Sequence, residues 1–152
     1  MKLKDILKRE AVKGDLQSTD KKGVLEELSS LITSVCNNLE TEEVLKILLE
    51  REKLGSTGVG NGVAIPHGKI GGLDSIISVF GRSKKGIDFQ SHDHKSASLF
   101  FVLLAPENAV GNHLQALARL SRLLKSEATR NLLIEIDSNK LYDLLITEDE
   151  KL

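Results

Sequence analysis

The chain has 152 residues, of which 40 % are hydrophobic and 28 % charged, with a net charge of −1 and a single cysteine. That length suits one domain, 1–152, able to bury roughly 70 % of its unfolded surface without staples. The near-neutral charge argues against nucleic acid, the lone Cys36 against an intramolecular disulfide framework, and the lack of any run of roughly 18 to 20 apolar residues against membrane insertion.

Met1 to Arg9 carries charge throughout and has no signal-peptide core, so a cytoplasmic protein is expected. The first 17 residues read as a helical turn followed by a strand near Ala11 to Leu16. Ser18, Thr19 and Asp20 offer cap oxygens to a helix whose Val24, Leu25, Leu28, Leu31, Ile32 and Val35 form one apolar stripe. Cys36 falls on that apolar side and reads as a small core residue. After Asn37-Asn38, Thr41 with Glu42 and Glu43 looks like the cap and acidic first turn of a second helix, carrying Val44, Leu45, Leu48 and Leu49. Its C-terminal end delivers Arg51 to a glycine-rich loop.

Gly71-Gly72 reads as a turn and Ser75 to Gly81 as a strand dense in β-formers. Lys84-Lys85-Gly86 reads as a second turn before Ile87-Asp88-Phe89, and Ser91 to Lys95 as a polar loop. The nearly continuous apolar run Ala97 to Leu104 suits a central strand covered on both faces, which calls for helices on both sides of the sheet. Beyond Pro106-Glu107-Asn108, a helix capped by Asn112 carries Leu114, Leu117, Ala118, Leu120, Ser121 and Leu124. Glu127 to Ile136 and Lys140 to Ile146 read as two more helices. No repeat, low-complexity tract or linker interrupts the chain.

The organising stretch runs from Glu52 to Gly68. Four of the chain's 12 glycines fall between Gly55 and Gly62, where the backbone must reach positive φ or pass close to a neighbour. Val63-Ala64-Ile65 then reads as a short strand. Pro66 removes a ladder donor, so pairing is expected to stop there, with His67 projecting from a stiff stub. A rigidly aimed imidazole suits a nucleophile, a general base or a metal ligand, and equally a buried structural histidine. Neither nucleotide motif fits: Gly58, Gly60 and Gly62 are evenly spaced, and Gly68-Lys69 is followed by Ile70. His92-x-His94 lacks the further ligands of a zinc set and reads as a solvated loop pair, so neither a metal nor a cofactor is expected. His113 sits at the start of a helix, where the dipole favours a neutral imidazole, or where it is simply solvated.

At nine fixed places the stretch resembles the active-site signature of the IIA domains of the bacterial phosphoenolpyruvate-dependent phosphotransferase system, in the mannitol/fructose/nitrogen-regulatory class. Those places are Glu52, Val59, Gly60, Val63, Ala64, Ile65, Pro66, His67 and Gly68. The resemblance extends over essentially the whole chain and implies a three-layer α/β/α sandwich with a mixed sheet of about five strands flanked by helices. It implies that His67 is the phosphoacceptor, modified at Nε2 while backbone holds Nδ1, and that His113 and Arg51 lie beside it. Ser56 and Thr57 are candidate phosphoryl contacts, or caps of the loop. The implied protein is a phosphotransferase component, a carrier without cofactor. It takes phosphoryl from an HPr-like phosphocarrier and serves either as a nitrogen-type regulator with its own target proteins or as a sugar-transport component passing phosphoryl to a IIB domain. Val59 and Leu114 are expected on the docking rim.

Overall fold

The computed structural model describes residues 1–152. Its spine is the apolar run foreseen as a central strand, here β6 (Ala97–Pro106), in which every residue but Ser98 is buried. A strand enclosed on both faces needs apolar side chains in both directions, and this run supplies them. Along one edge β6 pairs antiparallel with β5 (Ile77–Ile87), which pairs parallel with β1 (Leu7–Lys13). Along the other edge lie β3 (Val63–Ala64) and β4 (His67–Ile70), both parallel to β6, with β2 (Gly58–Gly60) antiparallel outside β3. The sheet is mixed and has six strands.

Five helices cover it: α1 (Lys21–Val35), α2 (Thr41–Lys53), α3 (Asn112–Lys125), α4 (Glu127–Glu135) and α5 (Leu141–Glu150). Two successive residues of β5 show the layering, because neighbouring side chains in a strand point to opposite faces. A Cβ on Gly81 would come within 2.9 Å of Leu28 in α1. Arg82, on the other face, donates to the Leu133 and Ile136 carbonyls at the end of α4. The result is an α/β sandwich with helices on both sides, its core one cluster of 35 buried apolar residues. The Phe80 and Phe101 rings meet across β5 and β6 at 4.9 Å between centroids, tilted by 59°.

Several boundaries differ from the sequence expectation. β1 spans Leu7–Lys13 rather than Ala11 to Leu16, because a sheet-edge strand tolerates the exposed charges Lys8, Arg9 and Glu10 that hide its strand character. Glu40 and Gly111, not Thr41 and Asn112, occupy the cap positions of α2 and α3, and each expected cap is the first helical residue instead. Lys84-Lys85-Gly86 is no turn: β5 continues to Ile87 through a bulge, with Gly86 at φ 78°. Arg82 faces Leu99 and Ile87 faces Ala97, so five steps on β5 match two on β6. Cys36 is the C-cap of α1, half-buried, with its thiol on the Asn38 side chain. No helix is long and apolar enough to cross a membrane.

One correction bears on the site. Pairing does not stop at Pro66. It skips Ile65 and Pro66 and resumes at His67, which lies opposite Leu103 as the first residue of β4. Pro66 interrupts an edge without ending it, since its carbonyl still accepts from Leu103 N at 3.0 Å. The segment beyond the break, β4, is a strand that the sequence reading did not foresee.

Candidate active site

His67 is half-buried, and its Nδ1 lies 2.8 Å from the Ile65 carbonyl oxygen. A carbonyl only accepts, so Nδ1 carries the proton and the lone pair of a neutral ring sits on Nε2. The kink at Pro66 makes this contact: it turns the chain so that the carbonyl two residues back faces the ring. Burial is the main influence on the imidazole and pushes its protonation below the usual 6.5. The Ile65 contact and Glu52 favour the proton, while the nearby Arg51 charge opposes it. At neutral pH the ring is neutral, with its Nε2 lone pair available.

Gly68 follows because α2 crosses here. A Cβ at that position would lie 2.5 Å from Cγ2 of Ile47. The same helix ends beside the ring and contributes Arg51 and Glu52, which serve different ends. Arg51 donates to the Gly55 carbonyl at 2.9 Å, which aims its guanidinium along the glycine loop. The Glu52 side chain is buried and accepts from Thr57 N at 3.1 Å, from the Thr57 hydroxyl, and from Lys21 Nζ at 2.8 Å. It fixes the loop to α1 and α2.

The two candidate hydroxyls are engaged inside that loop. Ser56 Oγ donates to the Phe89 carbonyl at 2.9 Å and accepts from Gly58 N, while Thr57 is buried with its hydroxyl on Glu52. Of the alternatives for these residues, the geometry matches loop caps. Gly60, Asn61 and Gly62 all take positive φ, and the Asp93 carboxylate accepts from Asn61 N at 2.9 Å. His92 and His94 lie exposed in the 91–95 loop.

His113 reaches the site from the segment that follows β6. β6 ends at Pro106, three residues past the partner of His67, and segment 107–111 leads into α3. The His113 ring centroid is 5.6 Å from that of His67, at a 49° tilt. Its Nε2 is buried and has no hydrogen-bond partner within the protein. Burial, then His67, then Lys69 push its protonation below the usual value. Two contacts around the site escaped sequence reasoning, those of Glu52 with Thr57 and of Lys69 with Ala109. Glu52 appeared only as a signature position, and the Thr five residues on was the signal of its loop contact. Lys69 was unmarked, because its alignment with His67 needs β4 to be a strand.

Exposed apolar side chains lie on the segments that carry these groups: Leu54 and Val59 near Arg51 and the loop, and Val110 and Leu114 on either side of His113. The groups are thus flanked by exposed apolar side chains, a margin of the kind that meets a macromolecular reactant.

The family described as "Phosphoenolpyruvate-dependent sugar phosphotransferase system, EIIA 2" matches residues 5–148 of the sequence. The chain belongs to this family. A nitrogen regulatory protein of Bradyrhizobium diazoefficiens is 41 % identical over 146 residues, covering 95 % of each chain. The crystal structure of nitrogen regulatory protein IIA-Ntr from Neisseria meningitidis superposes with a TM-score of 0.85 at 36 % identity, over 93 % of this chain and 97 % of that one. A fructose-specific EIIABC component of Bacillus subtilis is 34 % identical over 151 residues, which is 99 % of this chain but 24 % of that larger protein. The type 2 IIA fold is therefore shared by regulatory and sugar-transport relatives of this chain.

Proposed function

We propose that this chain is a phosphohistidine carrier acting as a nitrogen-type regulatory IIA protein, a single unit over 1–152 that works in the cytoplasm. The observation that carries the reading is the His67 ring, with Nδ1 occupied by the Ile65 carbonyl and Nε2 left as the nucleophile. Nε2 attacks the phosphorus of a phosphohistidine on an HPr-like carrier. The bond to the donor's imidazole nitrogen breaks, and the electron pair leaves with that ring. The transition state is loose, so the protein's share is position and charge. Arg51 supplies a fixed cation, and His113 Nε2–H donates to a phosphoryl oxygen. Ser56 and Thr57 contribute by holding the loop. The apolar margin of Leu54, Val59, Val110 and Leu114 receives the carrier and then the regulated target.

The test is transfer of label from phosphoenolpyruvate through enzyme I and an HPr-like protein. Acid-labile label on the intact chain and none on His67→Ala is the expected result. Label on His67→Ala would remove the assignment. A second reading, a sugar IIA passing phosphoryl to a IIB domain, draws on the 34 % identity to the fructose component across almost the full chain. Rapid loss of label to a fructose-type IIB would favour it, and stable label that alters binding to other proteins favours regulation.

A further inference from the structure

Segment 107–111 carries His113 into place, yet little holds it. Its backbone bonds are local, Ala109 N to the Pro106 carbonyl and Asn112 N to the Val110 carbonyl. The cap position of α3 is Gly111, at φ 75°, which offers no side-chain cap, and the first buried residue of the helix is Ala116. A cleft of about 560 Å³, lined in part by Asn108, Ala109, Val110 and Asn112, opens beside the segment, and of residues 107–111 only Ala109 packs against the core. One hydrogen bond ties it to another element: Lys69 Nζ donates to the Ala109 carbonyl at 3.0 Å.

Lys69 stands two residues after His67 on β4, and side chains two apart share a strand face. The strand that presents His67 therefore also reaches across to the segment that presents His113. We propose that Lys69 is a positioning residue for phosphoryl transfer at His67, its ammonium holding segment 107–111, and through it His113, against β4. The proposal rests on the carrier reading above. Lys69 acts through His113 and does not touch the transferring group.

A second consequence is electrostatic. The charged and titratable groups around His113 are His67 and Lys69 from β4. Arg51 and Glu52 from α2 act on His67, and the Glu107 carboxylate lies against Gly71, 3.4 Å from where a Cβ would be. Lys69 adds its positive charge to burial in keeping His113 neutral. A clamp that positions the donor also keeps it in the form in which its proton is shared with a phosphoryl oxygen rather than held as an imidazolium ion.

The test compares Lys69→Met and Lys69→Arg with the wild type in two readouts, the rate of labelling from an HPr-like phosphocarrier between pH 5.5 and 8.5, and the His113 titration by NMR. Methionine keeps the length of the stem and removes charge and donor. Lys69→Met is expected to label on the order of tenfold more slowly, the size of effect that misplacement of one group produces. Its His113 should titrate at higher pH, with the acid limb of the rate profile shifted the same way. Arginine retains charge and donors, and should restore both to near wild type. Lys69→Met with wild-type rates and an unmoved His113 would overturn the proposal, as would equal slowing in both variants with His113 unmoved. If the wild type takes no label, the carrier reading fails on its own. The His113 titration and amide exchange at residues 108–112 then still decide the clamp: an unmoved titration and unchanged exchange in Lys69→Met would overturn it.

Discussion

Two polar groups sit on strands of the same sheet, and their surroundings could hardly differ more. Arg82 on β5 is fully buried, and its guanidinium donates to the carbonyls of Gly14, Leu133 and Ile136 and to the hydroxyl of Ser138. It is a cation with every nitrogen bonded to a carbonyl or hydroxyl oxygen, and it joins β5, the end of β1 and the end of α4. His67 on β4 has one nitrogen satisfied and one free, next to a His113 whose buried Nε2 has no partner. A buried polar group that is fully paired organises structure, whereas one left partly unpaired is available for chemistry.

The sharpest test of that contrast is His67→Ala. It should abolish labelling while leaving thermal stability nearly unchanged, a pair of outcomes read by acid-labile label and by calorimetry. Loss of stability comparable to a core deletion would show that His67 also organises structure. Arg82→Met should do the reverse. With the Gly14 and Leu133 carbonyls left unpaired in the interior, it is expected to cost roughly 3 to 5 kcal/mol. At about 2 to 4 °C per kcal/mol for a chain of this size, the melting temperature should fall by roughly 10 °C, with His67 still labelled below the new midpoint.

A smaller effect is expected from Arg51→Ala, whose guanidinium bonds only the exposed loop carbonyl of Gly55. Labelling should slow on the order of ten- to hundredfold, with stability within about 0.5 kcal/mol of wild type. Lysine at this position should recover part of the rate, since it restores charge without the guanidinium's fixed fork. If stability fell instead of rate, Arg51 would belong with Arg82.

The smallest effect is the pH dependence of stability. Burial holds both His67 and His113 below the usual 6.5, so beneath that pH the unfolded chain takes up protons that the folded chain refuses. Their contribution is complete above about pH 6.5. It declines as pH falls toward the folded values, and the slope should vanish in a variant lacking both rings. Glu27 gives a loss of the same sign in a separate, more acid window. Burial opposes its ionisation, but Lys13, Gln17 and Ser18 together outweigh burial and lower its carboxyl from 4.5 to about 2. Stability from Glu27 is present above pH 4.5 and is lost as pH falls toward 2. A urea titration series at fixed temperature separates the two windows.

Much of this was legible in the chain. Periodicity marked α1, α2 and α3, and a nearly continuous apolar run marked β6, because burial on one or two faces is written directly into residue order. The spacing from Glu52 to Gly68 marked the site, since a glycine turn, a proline kink and a histidine act on neighbouring backbone and leave a local signature. The edge strand β1 and the bulge in β5 were hidden, as exposed charges and Lys84-Lys85-Gly86 look like loop until their partners are known.

What the sequence determined alone was therefore local: the helical stripes, the central strand, and a histidine set behind a proline. Tertiary structure decided which groups meet. That His67 begins a strand, that Glu52 and Thr57 close on each other, that Arg82 finds its oxygens 51 to 68 residues away, and that Lys69 reaches Ala109 all depend on register between distant segments. Such contacts carry no periodic mark in the chain, because register is fixed by packing over the whole sheet and not by any neighbouring residue.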